Sequence, residues 1–187
     1  MSSPKPGERL HHSTTLSSQT RWPQRLELSQ RKTFKQWKVT PENEQATSVC
    51  ESIIDHLGER HNPHIIIGAS EVGKSHLLNA TGQSALRYFD GDVRIIRATE
   101  IIGAGQLPND WQDAIATTVL LLIDDVHVIA AHEDHAQTVG HLIDHALNLG
   151  VHVLCTSGTP PRDWSSSRIW ELSVSYTHLT LPTTGDV

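Results

Sequence analysis

The stretch HIIIGASEVGKSHLL, His64 to Leu78, limits what this chain can fold into more than any other segment. Its three consecutive isoleucines read as a strand buried on both faces. Gly68 to Ser75 fits G-x-x-x-x-G-K-[ST], and Leu77, Leu78, Ala85 and Leu86 give the next segment a helical apolar stripe. Strand, glycine-rich turn and helix in that order make a phosphate-binding loop. Backbone N–H groups point at phosphate oxygens, and the helix adds the positive end of its dipole. The predicted nucleotide-binding residues are Gly68, Ala69, Ser70, Glu71, Val72, Gly73, Lys74, Ser75 and His76. Lys74 is expected to reach the outer phosphates and Ser75 to ligate magnesium. The ordinary alternative, a Gly/Ser loop with a solvated lysine, is disfavoured by the flanking strand and helix.

A second acidic element lies about fifty residues downstream, where TVLLLIDD ends on Asp124 and Asp125. A continuous apolar run of this kind is a strand covered on both faces. If it pairs beside the P-loop strand, its carboxylates stand next to the phosphates at the carboxyl end of the sheet. Asp124 is then expected to hold the magnesium shell and Asp125 to polarise the attacking water. Ser157 closes the next buried strand, VHVLCTS, and reads equally as a sensor of the terminal phosphate or as an ordinary turn serine. His127 and His76 flank the site, as tuning groups or as polar packing. His141 and His145 lie one helical turn apart on a helix expected to be solvent-exposed, and no third ligand is placed by spacing, so no metal centre is predicted there.

The remaining elements follow from punctuation and periodicity. LELSQRKTFKQWKV lacks clear alternation and is expected to run extended against the core. Pro41 is expected to start a helix capped by Thr40, ending near Leu57 before Gly58. DVRIIRA reads as a strand, PNDWQDAIA as a helix, and Glu133 to Leu149 as a polar helix stopped by Gly150. Strands alternating with helices imply a doubly wound parallel sheet.

Charge divides the chain in two. Residues 1–38 carry eight Lys and Arg against two acids, a balance of +6, and residues 39–187 carry seven against nineteen, a balance of −12. An acidic body argues against a broad nucleic-acid footprint, which needs clustered Lys and Arg. Residues 1–25, rich in Ser, Thr and Pro, are expected to form a disordered basic leader. No apolar run of membrane-spanning length or secretory core is present, and Cys50 and Cys155 lack metal or redox spacing, so a cytoplasmic location and no membrane partner are expected.

With these residues in place, the chain resembles the AAA+ ATPases of the DnaA/Hda family over about Leu26 to Leu172. RKTFKQWKVTPENEQA is similar to the segment before that family's core, and GASEVGKSHLLNA and LLLIDDVH are similar to its Walker A and B boxes. LCTSGTPPRDW resembles its sensor segment, with Gly158 and Thr159 where the family usually has Asp and Arg. SSSRIWEL resembles the box carrying its arginine finger. The resemblance implies a three-layer α/β P-loop NTPase of AAA+ type, with a mostly parallel sheet and without the family's helical lid, spanning residues 26–172. It implies ATP or ADP with Mg2+ as ligands, and Arg168 as a residue acting in trans on a neighbour's nucleotide. Only about thirty residues precede KTF, which points to the Hda-like branch: a regulator that promotes ATP hydrolysis on the DnaA initiator. Implied partners are that initiator, a DNA-loaded sliding clamp for which PQRLELS is the candidate motif, and further copies of the chain. A DnaA-like initiator and an ATPase that loads or remodels DNA complexes are the alternatives.

Val174 to Thr184, VSYTHLTLPTT, reads as the translation of a transposase-based sequencing adapter, so residues 173–187 are expected to be a non-native tail. Resequencing the locus by a method without that adapter is expected to yield different codons from about residue 173 onward. Recovery of the same codons from the genome would overturn this expectation.

Overall fold

The computed structural model describes residues 22–58, 61–104, 107–165, 169 and 177–181. Its centre is the P-loop strand β2 (His64–Ile67), followed in the chain by β3 (Asp92–Arg97), β4 (Thr118–Asp124) and β5 (His152–Ser157). With β1 (Gln24–Arg25) and β6 (Thr177–Thr180) these form one sheet ordered β1-β3-β4-β5-β2-β6. Every pairing is parallel except β1 with β3.

Side chains that alternate across the strands feed two cores. On one face Ile65, Ile96, Leu121, Ile123, Val153 and Cys155 pack beneath α3 (Ala98–Ala104), α4 (Trp111–Ala116), α5 (Val126–Ala130) and α6 (Glu133–Asn148). On the other, Ile66, Val93, Ile95, Leu120, Leu122 and Leu154 pack beneath α1 (Glu44–Asp55) and α2 (Lys74–Tyr88). A three-layer α/β fold results, because uninterrupted runs such as VLLLI need a cover on both sides. Each side chain so buried contributes roughly 1.5–3 kcal/mol.

Several boundaries differ from the sequence reading. α1 begins at Glu44, not at Pro41, because Asn43 closes a turn first: its Oδ1 accepts the Thr40 N–H at 2.9 Å and its Nδ2 donates to the Lys38 carbonyl at 3.0 Å. α6 is not a wholly solvated helix. Ala136, Val139, Leu142, Ile143 and Ala146 recur at helical spacing and are fully buried. α3 and α5 were not foreseen, being too short to carry a periodic signal.

Both ends of the sheet also extend beyond expectation. β1 lies within the stretch assigned to the leader, held by Arg25 Nε to Asp92 Oδ1 at 2.8 Å and by Arg94 Nη1 donating to the Pro23 carbonyl at 2.6 Å. Beyond β1, the amide of Gln83 on α2 brackets the extended segment, accepting from the Ser29 N–H at 2.6 Å and donating to the Glu27 carbonyl at 2.9 Å. β6 lies within residues 173–187, where no folded element was expected. β2 has one side open to it, and an extended segment there gains backbone pairing whatever its origin: the Leu181 N–H donates to the Ile67 carbonyl at 2.7 Å.

At the amino-terminal end of the sheet, His64 on β2 and His152 on β5 stack with ring centroids 5.2 Å apart. The Gly58 N–H donates to His152 Nδ1 at 3.4 Å, so His152 carries its proton on Nε2 and donates to His64 Nδ1 at 3.1 Å. Burial pushes both imidazoles down to about 4, with the charge of His61 adding to the effect on His64 and that of His64 to the effect on His152. An unfolded histidine titrates near 6.5, so between about 6.5 and about 4 the unfolded chain binds more protons than the folded one. The stability conferred by the neutral pair is complete above that window and is lost as pH falls through it. Thermal melts from pH 7.5 to 4.5 are expected to show a falling midpoint, with a shallower slope in His64→Gln.

Candidate nucleotide-binding site

β2 ends at Ile67, and the chain turns through Gly68 to Gly73 into the first turn of α2. Two residues of this loop adopt the left-handed region, Glu71 at φ 66° and Gly73 at φ 98°. A Cβ at Gly73 would also stand 2.5 Å from the indole of Trp37, so glycine is required there by both conformation and space. Gly68 is tied to the neighbouring strand by its N–H on the Ser157 carbonyl at 3.1 Å. Lys74 is 7% exposed, and its Nζ donates to the Ala69 carbonyl at 2.7 Å, which holds the ammonium inside the curl of the loop. Ala69, Ser70, Glu71 and Val72 form the rest of that curl.

The acidic strand does not pair with β2 as the sequence reading supposed. β5 lies between them. The Asp124 carboxylate still reaches the P-loop, because Asp124 closes β4 at the same end of the sheet. Ser75 Oγ donates to Asp124 Oδ1 at 3.0 Å, and Thr156 Oγ1 on the intervening strand donates to the same oxygen at 2.6 Å. Thr156 Oγ1 in turn accepts the Asp125 N–H at 2.8 Å, which fixes Asp125 in the left-handed region at φ 59°. Ser75 and Asp124 are hard oxygen donors on converging elements, the donor chemistry that suits Mg2+.

Thr156 is the residue that sequence reasoning missed. It lies inside an apolar strand, and its role depends on which strand sits beside it. The Ser157 hydroxyl donates to the Thr159 carbonyl and accepts the Thr159 N–H at 3.2 Å, the pairing of a turn serine. His76 faces away from the loop towards the segment before α1, with Nε2 3.1 Å from the Thr33 carbonyl and its ring 5.3 Å from that of Trp37. His127 stays at the site, half-buried, with its Nδ1 accepting the Gly158 N–H at 3.0 Å. Burial pushes its pKa down, Asp125 opposes this, and Lys74 adds to it. His145 packs edge-on against Trp111, with ring centroids 5.2 Å apart. Arg168 lies outside the described residues. Among the described residues no helix is long and apolar enough to cross a membrane.

Comparison with known proteins adds an independent line. A family model described as the bacterial DnaA ATPase domain matches residues 28–168. The chromosomal replication initiator protein DnaA of Thermomicrobium roseum is 31% identical over 145 residues, covering 72% of this chain and 30% of that protein. DnaA of Oenococcus oeni is 29% identical over 149 residues, covering 73% and 32%. The chain thus spans about a third of the length of these curated relatives. Among solved structures, domain III of Thermotoga maritima DnaA superposes with a TM-score of 0.76 at 23% identity, covering 84% of this chain and 69% of that one. AMPPCP-bound DnaA from Aquifex aeolicus gives 0.74 at 23%, covering 82% and 51%, and DnaI gives 0.69 at 16%, covering 83% and 89%. At these identities the superpositions show the fold.

The Thr156 hydroxyl is expected to be structural at this site. Thr156→Val removes one donor to Asp124 and leaves the Asp125 N–H without its acceptor, which costs about 1–3 kcal/mol. Urea denaturation is expected to show that loss, and Thr156→Ser is expected to recover most of it.

Proposed function

The chain belongs to the bacterial DnaA ATPase family, and from that membership we propose that its P-loop holds ATP or ADP with Mg2+, and that the nucleotide state controls initiation of chromosome replication. The observation that carries this reading is the convergence of Lys74, Ser75, Asp124 and Asp125, from separate segments, on the carboxyl end of one parallel sheet. The structural neighbour from Aquifex aeolicus is bound to AMPPCP, which supports a nucleoside triphosphate as the ligand here.

In this reading the backbone amides from Gly68 to Gly73 receive phosphate oxygens, and Lys74 exchanges the Ala69 carbonyl for an outer phosphate. Ser75 and Asp124 hold the magnesium ion, which when bound neutralises charge on the phosphates. Asp125 orients and polarises the attacking water.

The protein acts mainly as a regulator. In this reading Arg168 acts in trans on the nucleotide of a neighbouring DnaA molecule, where a guanidinium stabilises the transferring phosphoryl group, a contribution on the order of 10³–10⁵ in rate. A DNA-loaded sliding clamp is the platform on which the two meet, in the cytoplasm. A second reading, the initiator itself, is favoured by the curated relatives, which are DnaA initiators.

One set of variants in the full-length protein tests both readings, using ATP-bound DnaA from the same source and the clamp loaded on DNA. Lys74→Ala is expected to abolish nucleotide binding, while Asp125→Asn binds nucleotide without hydrolysing it. Arg168→Ala is expected to keep its own nucleotide and lose stimulation of DnaA hydrolysis. Undiminished affinity in Lys74→Ala rejects the P-loop assignment. Stimulation unchanged in Arg168→Ala rejects the regulatory role and leaves the initiator reading.

A further inference from the structure

His127 and Gly158 stand beyond the carboxyl ends of adjacent strands, His127 in the first turn of α5 after β4 and Gly158 in the turn after β5. They are fitted to each other in two independent ways. The Gly158 N–H donates to His127 Nδ1 at 3.0 Å. A Cβ on Gly158 would stand 2.9 Å from Nε2 and 3.1 Å from Cε1 of the same ring, so the imidazole fills the volume that a side chain at 158 would need. Because Nδ1 accepts, the neutral ring carries its proton on Nε2, and among the described residues Nε2 has no hydrogen-bond partner. Lys74 and Asp125 are the charged groups that act on this ring.

Among the described residues, two side chains make hydrogen bonds that tie the ends of β4 and β5 together here. Thr156 binds Asp124 and the Asp125 N–H from within the sheet, and His127 binds Gly158 outside it. The first fixes the acids themselves. The second fixes the turn Ser157–Thr159, whose own hydroxyl is spent internally on Thr159.

We propose that His127 is a positioning residue for ATP hydrolysis: its imidazole locks the turn after β5 to the turn carrying Asp125, holding both at the spacing that the attacking water requires. The proposal rests on the nucleotide-site reading above and deepens it. A side chain at position 158 would have to displace the imidazole from the space it occupies.

The test uses full-length protein, with steady-state ATP hydrolysis and equilibrium ATP affinity measured separately. His127→Ala is expected to lower kcat on the order of tenfold to a hundredfold, the scale of a small misplacement of catalytic groups, with ATP affinity and melting temperature held near wild type. His127→Asn, whose Oδ1 can accept the Gly158 N–H, is expected to recover most of that loss. Gly158→Ala, whose Cβ displaces the ring, is expected to lose as much as His127→Ala, and the double variant no more than either alone. Wild-type kcat in His127→Ala overturns the proposal, as do losses that multiply in the double variant, or an Asn variant no better than Ala. Wild type that binds ATP but does not turn it over also overturns it and leaves the nucleotide site standing. Failure of wild type to bind ATP overturns the site reading and the proposal together.

Discussion

One carboxylate oxygen, Asp124 Oδ1, receives hydroxyl groups from two directions, and the functional end of the molecule depends on that double contact. Ser75 reaches it from the first turn of the P-loop helix and Thr156 from the strand between. β4 and the P-loop are thereby held in one register although they are not neighbours in the sheet. With two donors on it, that oxygen is fixed in space. The turn that follows inherits this order, since the Asp125 backbone is held by the same threonine.

Much of this was legible in the sequence. The isoleucine run, the glycine spacing and the Lys-Ser pair fixed strand, loop and helix, because each residue type there answers a separate physical demand. The acidic pair was legible for the same reason. What failed were readings that needed neighbours. The place of β5 between β2 and β4 is a matter of topology, and Thr156 has meaning only once that order is known. The sequence left Ser157 open between phosphate sensing and a turn, and His76 between tuning and packing; the Ser157 hydroxyl pairs with Thr159, and His76 Nε2 lies beside the Thr33 carbonyl.

The same logic separates the elements that were placed well from those that were not. β3, β4 and β5 announce themselves because burial on both faces leaves no polar alternation to confuse the pattern. α6 was located but misjudged, since three histidines and three acids obscure the stripe from Ala136 to Ala146 that sits on the sheet. Family membership, established by the match over residues 28–168, agrees with the sheet and with the loop.

The edge held by Asp92 has a consequence for how the molecule responds to ionic strength. This carboxylate serves Arg94, which is 1% exposed, and Arg25, whose side chain is 66% exposed. Burial raises its pKa, but the Thr117 hydroxyl and the two guanidinium groups outweigh that and keep the group ionised. Mobile ions screen exposed charges far more than buried ones. Added salt therefore acts unequally on the two halves of one cluster. It loosens the grip of Arg25 and lets the short antiparallel strand fray, while Arg94 continues to bind both Asp92 and the Pro23 carbonyl. Pro23 is thus held by a buried guanidinium that salt hardly reaches, and Arg25, two residues further on, by an ion pair that salt weakens.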